Sequence, residues 1–363
     1  MSSLKPLTIF LTGACGVTSR SVVRALKLSP HFGNARFVGT DVCENIFGLH
    51  EGLFERIYRV PRCTDPDYSG MVLNIIHREN VDAAIVIPEL EVLYWTRVGL
   101  PVPCILPPPG FSDTVISKAR LHDALAGTGL VPTHKLLSRE ELLGEKFDSP
   151  IGWPAWVRDY EPGSTSGKGA LLVNHPEEVR AWVSLNPGIG SFMIAEYLPG
   201  LNYACHLLYY EGKLLKTATY ERIEYFMGRT VMSGISGNIS RGKVLHDEEV
   251  FERSRTAVEK ICASTGEKMH GLVSVDMRGN TKGEPMITEI NLRHVACTSA
   301  FASAGFNLCE AQLFAAFNQP EKAGDVFGDF PPHNTILRDI DGIALWVPDG
   351  RPPEIGGYVD CRA

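Results

Sequence analysis

The sequence predicts an α/β protein, with a Rossmann-like parallel sheet at the N-terminus followed by an antiparallel α+β body. Two observations carry that expectation. Residues 7–41 run strand, glycine turn, helix, strand. Far downstream, the alternating apolar runs Gly271 to Met277 and Pro285 to Ile290 are joined by the polar turn Arg278-Gly-Asn-Thr-Lys-Gly283, the pattern of an antiparallel hairpin. The 363 residues leave room for two or three packed units at about 100–200 residues per domain.

In order, Leu7-Thr-Ile-Phe-Leu-Thr12 is an apolar strand and Gly13-Ala-Cys-Gly16 a tight turn. Val17 to Leu28 is a helix with Val22, Val23 and Leu26 inward, and Arg36-Phe-Val-Gly-Thr-Asp41 is the second strand. Such a βαβ unit offers a helix N-terminus to a phosphate or dinucleotide. A helix from about Asp67 to Glu79 and two more buried strands, Val81 to Pro88 and Val102 to Leu106, extend the sheet. The opening turn resembles that of NAD-dependent epimerases and short-chain reductases, and Tyr209-Tyr-Glu-Gly-Lys213 matches their Tyr-xxx-Lys. The match fails twice. Val17, Thr18 and Ser19 stand where the third glycine belongs. Tyr209 and Lys213 flank Glu211-Gly212 between two apolar runs, which is hairpin spacing and not one turn of a helix.

The middle of the chain opens with a helix from Ser117 that buries Leu121, Ala124 and Leu125 before a Gly-rich exit. Trp153 to Gly169 is a strand running into a loop of Gly, Ser and Thr, either a phosphate-wrapping loop or a plain connection. Met193 to Gly200 is a strand ending in a kink, and Tyr203 to Tyr210 with Lys213 to Thr219 form a hairpin. The irregular run Thr219 to Arg241 carries Glu221, Arg222, Glu224 and Arg229, groups that read an amino acid's ammonium and carboxylate or else form a surface charge cluster. His206 alternates into an apolar strand as an interior residue, whereas His294 adjoins Arg293 and is a candidate for substrate contact. Gly342 to Val347 is the last expected strand, before a Pro/Gly-rich tail of no assigned role.

Composition narrows the function. With 44% apolar and 21% charged residues the chain is ordinary globular protein. A net charge of −7 disfavours a nucleic-acid partner. There is no apolar run of about 18 residues to span a membrane and no secretory signal. Nine cysteines lack CxxC pairs and zinc-ligand spacing, so reduced thiols in the cytoplasm are expected.

The hairpin carries the chemistry. Glu289 and Asn291 share one face by alternation, and Asp276 stands opposite on the partner strand. The bland alternative is the wet face of an antiparallel sheet. Read as a site, the three form a hard oxygen cluster suited to Mg²⁺ bridging triphosphate oxygens, with Arg293 placed to meet a phosphate.

Taken together, these segments resemble the ATP-grasp superfamily, in its carbamoyl phosphate synthase-like branch of carboxylate–amine ligases, over about residues 7 to 320. The resemblance implies a Rossmann-like pre-ATP-grasp domain at 1–115. An ATP-grasp domain of two α+β subdomains would follow at 116–325, with its lid at about 120–195, and 326–363 would remain of unknown role. It implies ATP and Mg²⁺, with Mn²⁺ as a substitute, small-molecule carboxylate and amine substrates, and room for a homodimer. Lys118 matches the basic residue that opens the ATP-grasp region and binds the cofactor, and Arg158 the Lys or Arg that contacts the ATP phosphates. Gly163, Ser164, Thr165, Ser166, Gly167 and Lys168, running on to Gly169, match the lid loop. Glu196, Tyr197 and Leu198 match the adenine-receiving segment, and Asn202 stands where many members have a ribose-binding Glu. Asp276, Glu289 and Asn291 fall on the metal ligands. Arg293, with Arg241, would stabilise the transferred phosphoryl group. Leu292 replaces the usual proline after the metal-binding Asn. A bicarbonate-activating synthase and a non-catalytic ATP sensor are the alternatives on the same fold.

Overall fold

The computed structural model describes residues 6–44, 47–160, 169–230, 234, 236–339 and 351–361. The expected loop residues Gly163, Ser164, Thr165, Ser166, Gly167 and Lys168, and the expected strand Gly342 to Val347, lie outside the described residues.

The first sheet is built as the N-terminal pattern requires. β1 (Thr8–Thr12) is buried along its whole length, and α1 (Val17–Lys27) returns the chain to β2 (Arg36–Asp41), parallel to β1. β3 (Arg56–Arg59), α2 (Tyr68–Glu79) and β4 (Ala83–Ile85) follow, giving parallel pairs β2–β3 and β1–β4. One face packs Ile9, Leu11, Val22, Leu26 and Phe37, and the other packs Phe10, Val38, Tyr58 and Tyr68. Each such side chain, fully withdrawn from water, contributes about 1.5–3 kcal/mol. Gly39 exists for close packing: a Cβ there would sit 2.5 Å from the Ala14 Cβ, where the glycine turn crosses β2.

The expected strand Val102 to Leu106 does not form. Pro101, Pro103, Pro107, Pro108 and Pro109 remove backbone donors that a ladder needs, and Ala84 N–H donates to the Pro103 carbonyl at 2.9 Å. The chain turns instead through α3 (Glu89–Val98) and α4 (Pro109–Ile116) to α5 (Lys118–Ala124), whose N-cap Ser117 accepts from the Arg120 N–H.

β5 (His134–Ser138), α6 (Arg139–Leu143), β6 (Ala155–Asp159), β7 (Leu171–Val173), α7 (Pro176–Leu185) and β8 (Ser191–Glu196) form a second unit. Its antiparallel sheet, in the order β5-β8-β6-β7, has its own core of Leu137, Leu142, Val157, Val179, Val183 and Phe192.

The third sheet takes in β9 (Asn202–Tyr210), β10 (Lys213–Tyr225), β11 (Ile239–Leu245), then, after α8 (Glu248–Thr265), β12 (Gly271–Gly279) and β13 (Pro285–Asn291). α9 (Thr298–Ser303), α10 (Leu308–Ala316), β14 (Ile336–Leu337) and β15 (Tyr358–Asp360) complete the chain. The order β13-β12-β9-β10-β11-β14 is antiparallel throughout. α8 covers one face through Val250, Ala257, Val258 and Ile261, while Phe301, Leu308 and Ala315 cover part of the other. β9 and β10 join through Glu211 and Gly212, both at positive φ (49° and 86°). Tyr209 and Lys213 are therefore on a hairpin and not a helix. β10 runs on to Tyr225 and β11 begins at Ile239, so the expected irregular run Thr219 to Arg241 is strand at both of its ends.

The tail has a structural role that its sequence did not disclose. β14 pairs with β11 of the central sheet, and β15 adds an antiparallel edge to β3 of the first.

Two glycines give opposite stability tests. Gly39→Ala should cost about 1–3 kcal/mol, the range for overpacking. Gly70→Ala, on α2 with open space around its Cβ, should gain about 0.5–1 kcal/mol from helix propensity. Urea denaturation of both variants checks the pair, and equal effects would overturn this account of Gly39.

Candidate functional site

Strand register assembles the site. On β12 and β13, Asp276 lies directly opposite Glu289 and Ser274 opposite Asn291, so all four are on one face. β9 continues that face, with Ala204 beside Asp276 and Asn202 beside Arg278. β10 adds Tyr220 beside Ala204 and Arg222 beside Asn202. The opposite positions Tyr203, Cys205, Val273, Val275, Ile287 and Ile290 are apolar core. A bulge in the β12–β13 ladder between Asp276 and Met277 leaves Thr288 unpaired, and its hydroxyl donates to the Asp276 carbonyl at 3.2 Å. Over this face lies a cavity of about 330 Å³, walled also by β6, β8 and the first residues of α1.

The electrostatics follow from placing two carboxylates across one ladder. Arg222 Nη2 donates to Asp276 Oδ1 at 2.5 Å, and Asn291 Nδ2 lies 3.4 Å from Asp276 Oδ2. Burial raises the Asp276 pKa above its ordinary value; Arg222 opposes that rise and Glu289 adds to it. Burial alone would lower Arg222, but the Asp276 charge holds its pKa well above the ordinary value. Glu289 is met by Arg158 Nη2 at 3.5 Å and Lys118 Nζ at 4.0 Å. Burial lowers the Lys118 pKa, with Glu289 resisting. Glu89, at the start of α3, approaches Arg293 Nε at 3.8 Å; burial raises its pKa and Arg293 opposes. Five arginines line the cavity (158, 222, 278, 293, 338) against three carboxylates (Glu196, Asp276, Glu289), a balance that favours an anionic occupant.

Among the expected nucleotide-contacting residues, Arg158, Glu196, Tyr197, Leu198 and Asn202 line the cavity, and Lys118 reaches it through Glu289. The Asn202 amide donates to the Tyr225 hydroxyl at 2.8 Å. Arg241 is displaced from the expected role. β10 shifts register on either side of Glu224, and Arg241 pairs with that residue at 2.7 Å at the solvent surface, outside the cavity lining. The supposed substrate-reading charges also separate: Glu221 pairs with Lys243 at 2.9 Å, Arg229 is exposed, and Arg222 belongs to Asp276. His294 is buried and bonded to Gln312 at 2.6 Å, not in the cavity lining; burial brings its pKa down to about 4. His206 is interior as expected, its Nδ1 2.5 Å from the Ser274 hydroxyl.

Several lining residues gave no sequence signal. Arg338 arrives from the tail, and Val17 and Thr18 from a turn 250 residues and more before the hairpin. His122 is one helical turn beyond Lys118, its ring edge-on to His134 with centroids 4.5 Å apart. Burial pushes its pKa down to about 3, so it is neutral near pH 7.

As a metal site the face offers two carboxylates and one amide oxygen. Among the described residues no cluster of three or more His, Cys, Asp or Glu occurs. This donor set is hard and incomplete, which fits Mg²⁺ completed by phosphate oxygens and water.

The fold is that of the ATP-grasp ligases. Solved structures with the same arrangement include an L-amino acid ligase from Bacillus licheniformis (TM-score 0.63, 13% identity, covering 92% of this chain and 79% of that one). A second is N5-carboxyaminoimidazole synthetase from Staphylococcus aureus complexed with ADP (0.64, 13%, 91% and 82%). A third is D-alanine–D-alanine ligase from Bacillus anthracis complexed with ATP (0.52, 14%, 88% and 98%). No protein-family model matches the sequence, and no curated protein does.

Replacing Arg222 tests the electrostatic account. Arg222→Leu leaves the part-buried Asp276 without its cation and should cost at most about 3 kcal/mol near neutral pH, the low end for a buried pair. The sign is fixed: the variant raises further a carboxyl pKa that burial already raises. The loss should therefore shrink as pH falls through the Asp276 pKa and grow as pH rises through it. Urea denaturation across pH 4–8 checks it, and a pH-independent loss would overturn the pairing as its cause.

Proposed function

We propose that the protein is an ATP-dependent, ADP-forming ligase that joins a carboxylate to an amine through an acyl phosphate. The observation that carries this reading is the convergence, by register alone, of Asp276, Glu289 and Asn291 beneath a cavity whose wall holds Lys118 and Arg158 against Glu289. Two carboxylates opposite each other repel and would not be kept for stability. A divalent cation held between them would offset that repulsion.

In the first step a carboxylate oxygen of the acid attacks the γ-phosphorus. The bond to the β–γ bridging oxygen breaks, and ADP leaves. In the second, an amine attacks the acyl carbon, phosphate departs with the electron pair, and the amine's proton is released. Mg²⁺ held by Asp276, Glu289 and Asn291 would draw charge from the phosphate oxygens. Arg158 and Lys118 hold the phosphates, and Arg293, set by Glu89, meets the transferred group. Glu196, Tyr197 and Leu198 would receive the adenine on the wall that also carries His122, Trp156 and Met193, and Asn202 would meet the sugar. The chain supplies position and charge and no covalent nucleophile.

In this reading residues 1–115 present the substrate and 116–325 bind the nucleotide, with about 120–195 closing over it to keep water from the acyl phosphate. The nine free thiols agree with a reducing, cytoplasmic setting.

The test is ADP release from ATP and Mg²⁺ against amino acids, hydroxy acids and bicarbonate, with wild type beside Glu289→Gln. Substrate-dependent ADP, reduced at least about 100-fold in kcat by the substitution, is the expected result. ADP formed only with bicarbonate would make the enzyme a carboxyphosphate-forming synthase. ATP binding without turnover on any acid would make it a sensor, and no ATP binding would end the reading.

A further inference from the structure

We propose that His206 is a positioning residue of this ligase: through the Ser274 hydroxyl it holds the backbone carbonyl of Arg293, and so sets the guanidinium that meets the transferred phosphoryl group. The proposal rests on the ligase reading above and adds two residues that do not line the cavity.

Register builds the chain of contacts. His206 on β9 lies directly beside Ser274 on β12, and Ser274 lies beside Asn291 on β13. His206 and Ser274 are fully buried. β13 ends at Asn291, two residues short of Arg293, so the ladder no longer fixes that residue's backbone. Its carbonyl is met instead by the Ser274 hydroxyl, which donates at 2.9 Å. A serine has one hydroxyl proton, and a carbonyl can only accept. With that proton committed to Arg293, the 2.5 Å contact between His206 Nδ1 and Ser274 Oγ requires the ring to donate. His206 is therefore the Nδ1–H tautomer, and its Nε2 is a bare lone pair. The surroundings agree: Nε2 is buried and has no hydrogen-bond partner among the described residues. A proton added there would leave a buried charge without an acceptor, and burial, helped by His294 and Arg222, pushes the His206 pKa well below its ordinary value. By filling a lone pair of the hydroxyl, the His206 N–H aims the single serine proton at Arg293.

The ring is itself held by two others. It stacks on Tyr220 with centroids 5.8 Å apart and planes within 4°, and it meets Phe301 edge-on at 5.1 Å. The Tyr220 hydroxyl in turn accepts from Arg222 Nε at 2.9 Å, and Arg222 carries Asp276. One packed cluster beside the cavity thus touches the site twice, at Asp276 through Tyr220 and Arg222, and at Arg293 through His206 and Ser274. The Arg293 side chain lines the cavity, with its Nε 3.8 Å from Glu89 of α3. Arg293 is held at its backbone from β12 and at its side chain from α3. A misplacement of about 1 Å can cost about 100-fold in rate, so this anchor acts on the reaction more than on the fold.

The test measures ADP release, with the acid that supports turnover, for wild type, His206→Leu, His206→Asn, Arg293→Gln and the double variant His206→Leu/Arg293→Gln. Leucine keeps an apolar side chain of similar size against Tyr220 and Phe301, so the urea midpoint should stay near that of wild type. Its kcat should fall about 10–100-fold with KM for ATP within about two-fold of wild type. Asparagine, which keeps an N–H for the same hydroxyl, should recover part of the loss. In the Arg293→Gln background His206→Leu should have no further effect on kcat, because the group it positions is gone. Losses that multiply in the double variant, a His206→Leu kcat equal to wild type, or a kcat loss that only mirrors unfolded protein overturns the proposal. Heteronuclear NMR of wild type labelled at histidine reads the tautomer without turnover: a protonated Nδ1 is expected, and a protonated Nε2 overturns the contact on which the role depends. Wild type without turnover on any acid ends the ligase reading, whereas multiplying losses in an enzyme that Glu289→Gln inactivates end the role of His206 alone.

Discussion

Two carboxylates on opposite strands of one ladder constrain the rest of this structure. Cross-strand neighbours approach within about 5.5 Å, so Asp276 and Glu289, paired directly in the β12–β13 register, repel unless charge is supplied to each. The compensation comes from three distant places. Arg222 reaches Asp276 along the sheet from β10, while Lys118 and Arg158 reach Glu289 from α5 and β6. Glu289 is thereby met both from α5 and from the small sheet.

The two compensations differ in kind. Arg222 and Asp276 make a close, buried pair at 2.5 Å, further held by Tyr220 and Asn202 around the same guanidinium. Breaking such a pair is costly because a buried charge is left unmet. Contacts to Glu289 at 3.5 and 4.0 Å are looser and shared between two cations. A tight pair sets the floor of the site, and a loose cluster leaves Lys118 and Arg158 able to exchange one anionic partner for another. For a site proposed to hold phosphates that division is useful: the floor need not rearrange while the cations of the wall do.

What could be read from the sequence follows what periodicity reports. The βαβ unit and the 271–291 hairpin were legible because alternation and a glycine turn are local, and alternation alone put Glu289 and Asn291 on one face with Asp276 opposite. Val102 to Leu106 misled because its apolar residues read as a strand while the prolines around it withhold the donors. Arg241 misled because a bulge turns a side chain by reshaping the ladder, and bulges leave little mark in composition. Arg222 was noticed as a charge but not as Asp276's partner, since that depends on the registers of β9–β10 and β9–β12 together. Arg338 was out of reach: a two-residue strand in a Pro/Gly-rich tail has no period to detect.

The N-terminal turn shows why the dinucleotide reading fails in space as well as in sequence. In a nicotinamide-binding unit an acid at the end of the second strand is kept for the ribose. Here Asp41 occupies that place, but its two oxygens accept the Cys15 and Cys43 backbone N–H groups, each at 2.8 Å. Two of its roughly four lone-pair sites go into pinning the glycine turn to β2, and Gly39 permits the close crossing that this requires. With the turn held there, Val17 and Thr18 at the start of α1 line the same cavity as Asp276 and Glu289. The same βαβ architecture that elsewhere cradles a dinucleotide is thereby aimed at the cavity over the central sheet.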